Sequence, residues 1–330
     1  MRAFEYASAR SKQQAAELLG AKWGDAEVLA GGSDLLALMK DDVVRPRRLV
    51  DIKEIPEMRG IRAAGAGFSL GALVTLAELQ DDSRLRQRYP ALAHALDDAA
   101  SPQIRNVATL GGNLCQRPRC WYFRGGHGLL ARGPDGESLV PKGDNRYHAV
   151  LGNEGPAYFV SPSTIAPALV AYGAKVRLFG ARGERELPLE KFFRTPKSDG
   201  EREHDLAPNE IVTEIVLPSA EGTRSASYEV RQKEAFDWPY ATASVVIRMS
   251  GNTAQSARIV LGHVAPIPWI SPEAEAAVAG KPLDETTAAA AGRAAVAAAK
   301  PLSRNRHKIQ LATIAVKRAL LLAARAAVRG

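Results

Sequence analysis

The sequence predicts an α+β protein: two α/β halves first, then a separate domain of strands followed by helices. Three observations carry this expectation. Short apolar runs of strand length alternate with amphipathic segments through the first part of the chain. After Pro208, strand-like runs follow one another directly. From Glu273 onward the composition turns Ala-rich and helical. With 330 residues, 46% of them hydrophobic, there is apolar material for two or three domains with substantial cores.

The elements follow in order. A helix over about 11–19 opens with Ser11 and Gln14 at capping-box spacing. A strand over about 28–30, a helix over about 35–40 and a strand over 49–52 complete an α/β unit. A second unit begins at "GAGFSLGALVTLAELQ": Phe68 and Leu70 alternate in a short strand, and Thr75 caps a helix carrying Leu76 and Leu79. Gly65, Gly67 and Gly71 miss the G-x-G-x-x-G spacing of a Rossmann finger and read as turn residues. Periodicity fails over 125–153, a stretch rich in Gly, Pro and Asp. It reads as a long loop-like insertion, and such loops are usually functional or mobile. "TIAPALVAYGAKVRLFG" restores a helix and a strand. "EIVTEIVLP", "SASYEVRQ", "ATASVVIRMS" and "SARIVLGHV" are successive strands, with Gly251-Asn252 as a hairpin turn. The segments 273–300 and 307–328 are helical, and no tandem repeat is present.

Composition narrows the function. A formal charge of +8 suits an anionic ligand or an acidic partner. Zinc-finger spacing, a basic-aromatic RNP pattern and dense Lys/Arg blocks are all missing, which argues against nucleic acid. The apolar run near the C-terminus is broken by Lys317, Arg318 and Arg325, so no membrane insertion is expected. The first twenty residues lack the features of a signal peptide. The expected location is the cytoplasm, or the periplasm by co-export with a partner. Six histidines show no paired ligand spacing, so no metal is assigned. There is no G-x-S-x-G elbow and no acid–base constellation, so no catalytic residue is assigned either.

What remains is a pair of glycine loops. "VLAGGSDLLALMK" ends a strand on Gly31-Gly32 and starts a helix at once. "SPQIRNVATLGGNL" repeats the device with Thr109, Gly111, Gly112 and Asn113. Consecutive N–H groups and neighbouring hydroxyls make an anion nest, and two such loops would grip a diphosphate from both sides. Two ordinary Gly-Gly turns are the plain alternative.

These two loops together with "LGHVAPIPW" resemble the FAD-binding medium subunit of the molybdenum hydroxylases, the xanthine dehydrogenase and carbon monoxide dehydrogenase family, across nearly the whole chain. The resemblance implies a vanillyl-alcohol-oxidase-type FAD domain at 1–219, with halves of about 1–56 and 57–219 and an insertion at about 115–157. A C-terminal α+β domain would occupy 220–330. It implies non-covalent FAD, a large partner subunit with a molybdenum cofactor, a small partner with [2Fe–2S] clusters, and an external electron acceptor. The backbone from Leu29 through Ala30, Gly31, Gly32, Ser33, Asp34, Leu35 and Leu36 would bind the pyrophosphate and ribityl region, with Ser33 and Asp34 also read as helix caps. Thr109, Gly111, Gly112 and Asn113 would form the second loop. Ser101 is either a flavin contact or a cap before Pro102. Thr164 stands where relatives often carry aspartate. Val212 matches a position whose backbone touches the flavin, and Arg231 a basic residue near it.

"NLCQRPRCWYFRGG" with "GDNRYHAVLGN" most resembles the flavin subunit of bacterial three-subunit aldehyde oxidoreductases, some of which carry a [4Fe–4S] cluster on four cysteines in this insertion. This chain has two cysteines, Cys115 and Cys120, and four thiolates are the usual requirement. The expectation is an insertion that persists without its cluster, anchored at its base by Trp121, Tyr122 and Phe123, with both thiols partly buried beside the flavin loop. The implied function is a flavin electron-transfer subunit of an aldehyde-oxidising complex. The alternatives are a free-standing flavin oxidase or dehydrogenase of the same fold and, from a different class, a basic scaffold without flavin.

Overall fold

The structure is a computed structural model that describes residues 1–233 and 237–325. The first half is a small parallel sheet. Strand β1 (Glu5–Ser8) leads into α1 (Lys12–Leu19), β2 (Ala26–Leu29), α2 (Leu35–Lys40) and β3 (Arg48–Asp51), and the strands lie in the order β1-β3-β2. The Ser11 hydroxyl caps α1 by accepting from Gln14 N–H at 3.1 Å. The return bond of the box slips by one residue: Gln14 Oε1 accepts from Arg10 N–H at 2.8 Å.

The second half contains β4 (Ile61–Ala64), β5 (Gly67–Gly71), α3 (Leu76–Asp81), α4 (Ser83–Arg88), α5 (Pro90–Asp98), α6 (Pro102–Arg105), α7 (Leu110–Cys115), α8 (Trp121–Arg124), α9 (Ala166–Ala171), β6 (Lys175–Gly180), β7 (Gly183–Pro188) and β8 (Ile211–Leu217). Its sheet, β4-β5-β8-β6-β7, is antiparallel throughout, where a second α/β unit was expected. The reason is local. Strands β4 and β5 are joined by a tight turn at Gly65 and Ala66, and only antiparallel neighbours can be joined that way. Gly65 is the turn glycine, whereas Gly67 and Gly71 lie inside β5. Thr75 and Glu78 form a complete capping box on α3. Strand β8, the first of the runs after Pro208, returns to the middle of this sheet. Residues of both sheets, among them Val50, Leu70 and Ile215, share one core.

The C-terminal part is an antiparallel sheet covered by helices. It comprises β9 (Thr223–Val230), β10 (Ala241–Ser250), β11 (Thr253–Gly262), β12 (Trp269–Ile270), α10 (Pro272–Val278), β13 (Lys281–Pro282), α11 (Glu285–Ala295) and α12 (His307–Arg325). The order is β12-β11-β10-β9, with β13 on β11, and α12 lies against β9 and β10. The helical segment expected over 273–300 is two helices separated by β13. Residues 326–328 of the last expected helix lie outside the described residues. Among the described residues, no helix is long and apolar enough to cross a membrane.

The insertion is held by packing and by buried polar bonds. Phe123 enters a small core with Leu38, Leu130 and Phe159, and Trp121 stands edge-on to Tyr147 and His148. Lys308 at the start of α12 is almost fully buried. Its ammonium donates to the carbonyls of Tyr147 (2.9 Å), His148 (3.1 Å) and His263 (2.6 Å). Asn305 donates to Ala149 O at 3.0 Å, and Asn145 and Asn153 donate to further carbonyls of the insertion and of Lys300. The aromatic anchors expected at the base are therefore only part of the fastening.

Candidate functional site

The two glycine loops meet backbone to backbone. A Cβ on Gly31 would lie 1.8 Å from the carbonyl oxygen of Val107, which leads into the second loop. Gly31 is glycine because the other loop's main chain occupies that space. Gly32 has φ +71°, a left-handed conformation that costs other residues energy. The strand thus stops on paired glycines for both reasons at once: one is a turn, the other a close approach.

The loops differ in what they offer. Among the described residues, nothing accepts from the N–H groups of Gly31, Gly32, Ser33 and Asp34. These form a run of free donors. The second loop spends its donors internally. Gly111 N–H goes to Ala72 O at 2.9 Å, Asn113 N–H to Thr109 O at 2.8 Å, and Gly112 N–H to the Thr109 hydroxyl at 3.1 Å. The expectation of two equivalent nests is corrected: the first loop offers main-chain N–H groups, the second the hydroxyl hydrogen of Thr109. The Asn113 carboxamide is oriented by Ser163, whose hydroxyl donates to Oδ1 at 2.6 Å, which leaves the Nδ2 hydrogens free for the cavity beside it. The capping role for Ser33 and Asp34 is also corrected, since no side chain caps α2. The Asp34 carboxylate instead accepts from Arg117 N–H (2.8 Å) and Arg124 Nη2 (2.7 Å), with Arg119 at 3.4 Å.

Two cavities adjoin at these loops, with Ser33, Asp34, Gly112 and Gln116 in the walls of both. The first has a volume of about 190 Å³. It is walled by Ala30, Gly31, Gly32, Leu35, Thr109, Gly111 and Val212 among the expected residues. The second has a volume of about 360 Å³ and is walled by Ser101, Asn113 and Thr164 among them. Ser101 also caps α6, accepting from Ile104 N–H, and stands in the wall of the second cavity. Leu29, Leu36 and Arg231 line neither cavity. Leu36 and Leu29 pack against Gly32. Arg231 is engaged by Asp98 at 2.5 Å and Glu229 at 3.5 Å, so the expected cation is not on the cavity wall, though both its partners are.

Charged groups that the motifs did not reveal complete the walls. In the first cavity Arg202 lies 4.4 Å over Trp23 and pairs with Glu27, and Arg117 pairs with the buried Glu203. Against burial, which raises it, Arg117 holds the Glu203 carboxyl below its ordinary value. Burial drives His204 down to about 4, so it is neutral at pH 7. Burial and the Glu203 charge push the Cys115 thiol up to about 12. In the second cavity Arg119 stacks 4.7 Å over Trp238. Burial pushes Glu229 up to about 8, opposed by Arg231 and reinforced by Asp98. Arg117 and Arg119 flank the second loop in "CQRPRC" and could have been noticed as adjacent cations. Nothing in local spacing marks Glu203 or Glu229. Cys120 lines neither cavity, and its Sγ lies 3.1 Å from His148 Nε2.

Known proteins resolve the likeness. Residues 2–220 match the family described as the FAD binding domain in molybdopterin dehydrogenase. Residues 226–323 match the CO dehydrogenase flavoprotein C-terminal domain. The carbon monoxide dehydrogenase medium chain of Hydrogenophaga pseudoflava is 33% identical over 96% of this chain and 96% of its own length. The aldehyde oxidoreductase FAD-binding subunit PaoB of Escherichia coli is 31% identical over 94% of this chain and 95% of its own. A solved carbon monoxide dehydrogenase of H. pseudoflava, lacking the Mo-pyranopterin moiety, superposes at TM-score 0.77 and 32% identity over 98% of this chain and 97% of the matched chain. Loop pair, sheet order and family matches agree: the chain belongs to the FAD-binding medium subunits of the molybdenum hydroxylases and is the flavoprotein subunit of an oxidoreductase.

Proposed function

We propose that this chain binds one FAD across the two cavities and relays electrons from a partner's [2Fe–2S] clusters to an external acceptor, within a complex whose molybdenum subunit oxidises an aldehyde. The observation that carries the reading is the free N–H run of Gly31 to Asp34 at the wall where the cavities meet. A dinucleotide has its diphosphate in the middle and a ring system at each end, and this site has its anion nest in the middle and a cavity on each side. The residues present fit the cofactor.

In this assignment the backbone of Gly31, Gly32, Ser33 and Asp34 and the hydroxyl of Thr109 hold the diphosphate. Leu29 and Leu36 shape the turn. Ala30, Leu35, Gly111, Gly112 and Val212 wall the adenosine arm beside Trp23 and Arg202. Ser101, Asn113 and Thr164 bond the isoalloxazine arm, whose mixed donors and acceptors suit the mixed polar wall there. Ile104 and Trp238, both substantially exposed, stand at this second cavity, on the side a partner's cluster must approach. Arg231 acts through Glu229 and Asp98. Bound FAD supplies a carrier that accepts electrons singly and delivers them in pairs; the chain positions it and excludes water. The aldehyde assignment rests on the insertion's likeness to aldehyde oxidoreductase subunits and on the match to PaoB. The FAD-binding unit is taken as 1–219, with halves 1–56 and 57–219, and the C-terminal unit as 220–330.

The test is titration of the purified chain with FAD. One equivalent should bind, Gly32→Val and Gly112→Val should abolish binding while circular dichroism stays near wild type, and aldehyde turnover should require the partner subunits. Aldehyde oxidation by the isolated, metal-free chain would overturn the relay in favour of a free-standing oxidase.

A further inference from the structure

Electrons that arrive from iron–sulfur clusters bring no protons, yet two-electron reduction of a flavin takes up at least one. The second cavity contains a group suited to supply it. Glu229 lies near the end of β9 with its side chain only 5% exposed, and it forms part of the cavity wall. Among the described residues its carboxyl makes no hydrogen bond and has one paired cation, Arg231, at 3.5 Å. That cation is already taken by Asp98, from the end of α5, at 2.5 Å. One guanidinium therefore faces two carboxylates in a half-enclosed site, and the more buried carboxylate is the one better kept neutral. The other neighbours leave this balance in place. Thr242, opposite Glu229 on β10, is uncharged. His94, one turn before Asp98, accepts from Ser227 N–H. Arg119 and Asp237 line the same cavity with opposite charges.

We propose that Glu229 is a protonated carboxylic acid that delivers a proton to the flavin ring as electrons arrive, a role that rests on the placement of the isoalloxazine arm in the second cavity. Two electrons come from the partner's iron–sulfur clusters. The Glu229 O–H bond breaks as a ring N–H bond forms, and the resulting carboxylate is held by Arg231. When the external acceptor removes two electrons and the ring proton, Glu229 takes its proton back from water at the cavity mouth.

Two measurements test this. Infrared spectroscopy of the cofactor-free chain at pH 7 should show a buried carboxylic-acid carbonyl band that disappears in Glu229→Gln. It should also disappear in Asp98→Asn, where Glu229 has Arg231 to itself and ionises. Second, the FAD-loaded chain is reduced by reduced methyl viologen, a one-electron donor without protons. Glu229→Gln, saturated with FAD, should form the protonated reduced flavin ~10²-fold more slowly, as expected for loss of a general acid, with formic acid restoring the rate. A carbonyl band that persists in Glu229→Gln, or equal reduction rates in wild type and variant, overturns the proposal. Failure of the wild-type chain to bind FAD overturns instead the site assignment beneath it.

Discussion

Gly31→Ala adds one methyl group at the point where the two glycine loops touch. The new Cβ would lie 1.8 Å from Val107 O and 2.7 Å from Val107 C. A relaxed carbon–oxygen contact is about 3.3 Å or more, so the loops must part by roughly 1.5 Å. Both partners are main chain, and no side chain can rotate aside. Overpacking costs about 1–3 kcal/mol, and an unyielding contact belongs at the upper end. For a domain of this size about 3 kcal/mol lowers Tm by roughly 6–12 °C. The free N–H groups move with the loop. Weakening one charge-assisted hydrogen bond costs about 1.5–3 kcal/mol, so FAD should bind roughly 10–100-fold more weakly. Gly24→Ala is the control: Gly24 has φ +88° and nothing within 4 Å, so it incurs only the left-handed penalty of about 1–2 kcal/mol and should leave FAD binding unchanged. Thermal melts with and without FAD, and quenching of flavin fluorescence, measure both effects. If Gly31→Ala melts within a degree of wild type and binds FAD equally, the close approach does not shape the nest and the reasoning fails.

Other outcomes follow from the same geometry. Thr109→Val removes the cap of α7 and the acceptor for Gly112 N–H, and should cost about 1–2 kcal/mol in urea unfolding and about tenfold in FAD affinity; equal affinity would remove Thr109 from the site. Lys308→Met strips the donor from three carbonyls, so it should lower stability by about 1–3 kcal/mol for a carbonyl left unsatisfied and open the stretch 125–153 to proteases. An unchanged digestion pattern would show that the insertion is fastened elsewhere. Burial holds His148 and His204 down to about 4 and His263 to about 3, whereas each protonates near 6.5 when unfolded. Between those values the unfolded chain binds more protons, so stability is present above pH 6.5 and lost as pH falls toward 4, by up to about 1.4 kcal/mol per pH unit for each histidine. His204→Gln should flatten this slope by one histidine's share, and a pH-independent urea midpoint would contradict it.

What could be read from the sequence was what short spacing encodes. Ser11 and Thr75 announce their helices within three residues, and the glycine pairs announce turns within two. The unequal division of labour between the loops was out of reach, because it depends on Ala72 and Val107 arriving from other segments. Strand β8 read as the first of a C-terminal series. Its place between β5 and β6 is decided by side-chain burial on both faces, which alternation alone does not assign to a particular sheet. Arg231 was noticed as a cation, but its effect depends on Asp98, 133 residues away. Glu229 looked like an ordinary strand residue because the cavity that buries it is built by segments far from it in sequence, among them 33–34 and 112–119. Main-chain geometry at the loops is written locally, and side-chain electrostatics are not.

The Lys308 clasp fixes an order of events during synthesis. Its partner Tyr147 precedes it by 161 residues. At roughly 5–20 residues per second, a nascent chain waits about 8–30 s between making the insertion and making the side chain that closes it. Through that interval the carbonyls of Tyr147 and His148 lack this donor, and that of His263, made 45 residues before Lys308, lacks it for the last part. The glycine loops and both central sheets are complete earlier. A chain stopped before Lys308 would therefore carry both glycine loops and still have an insertion without this fastening.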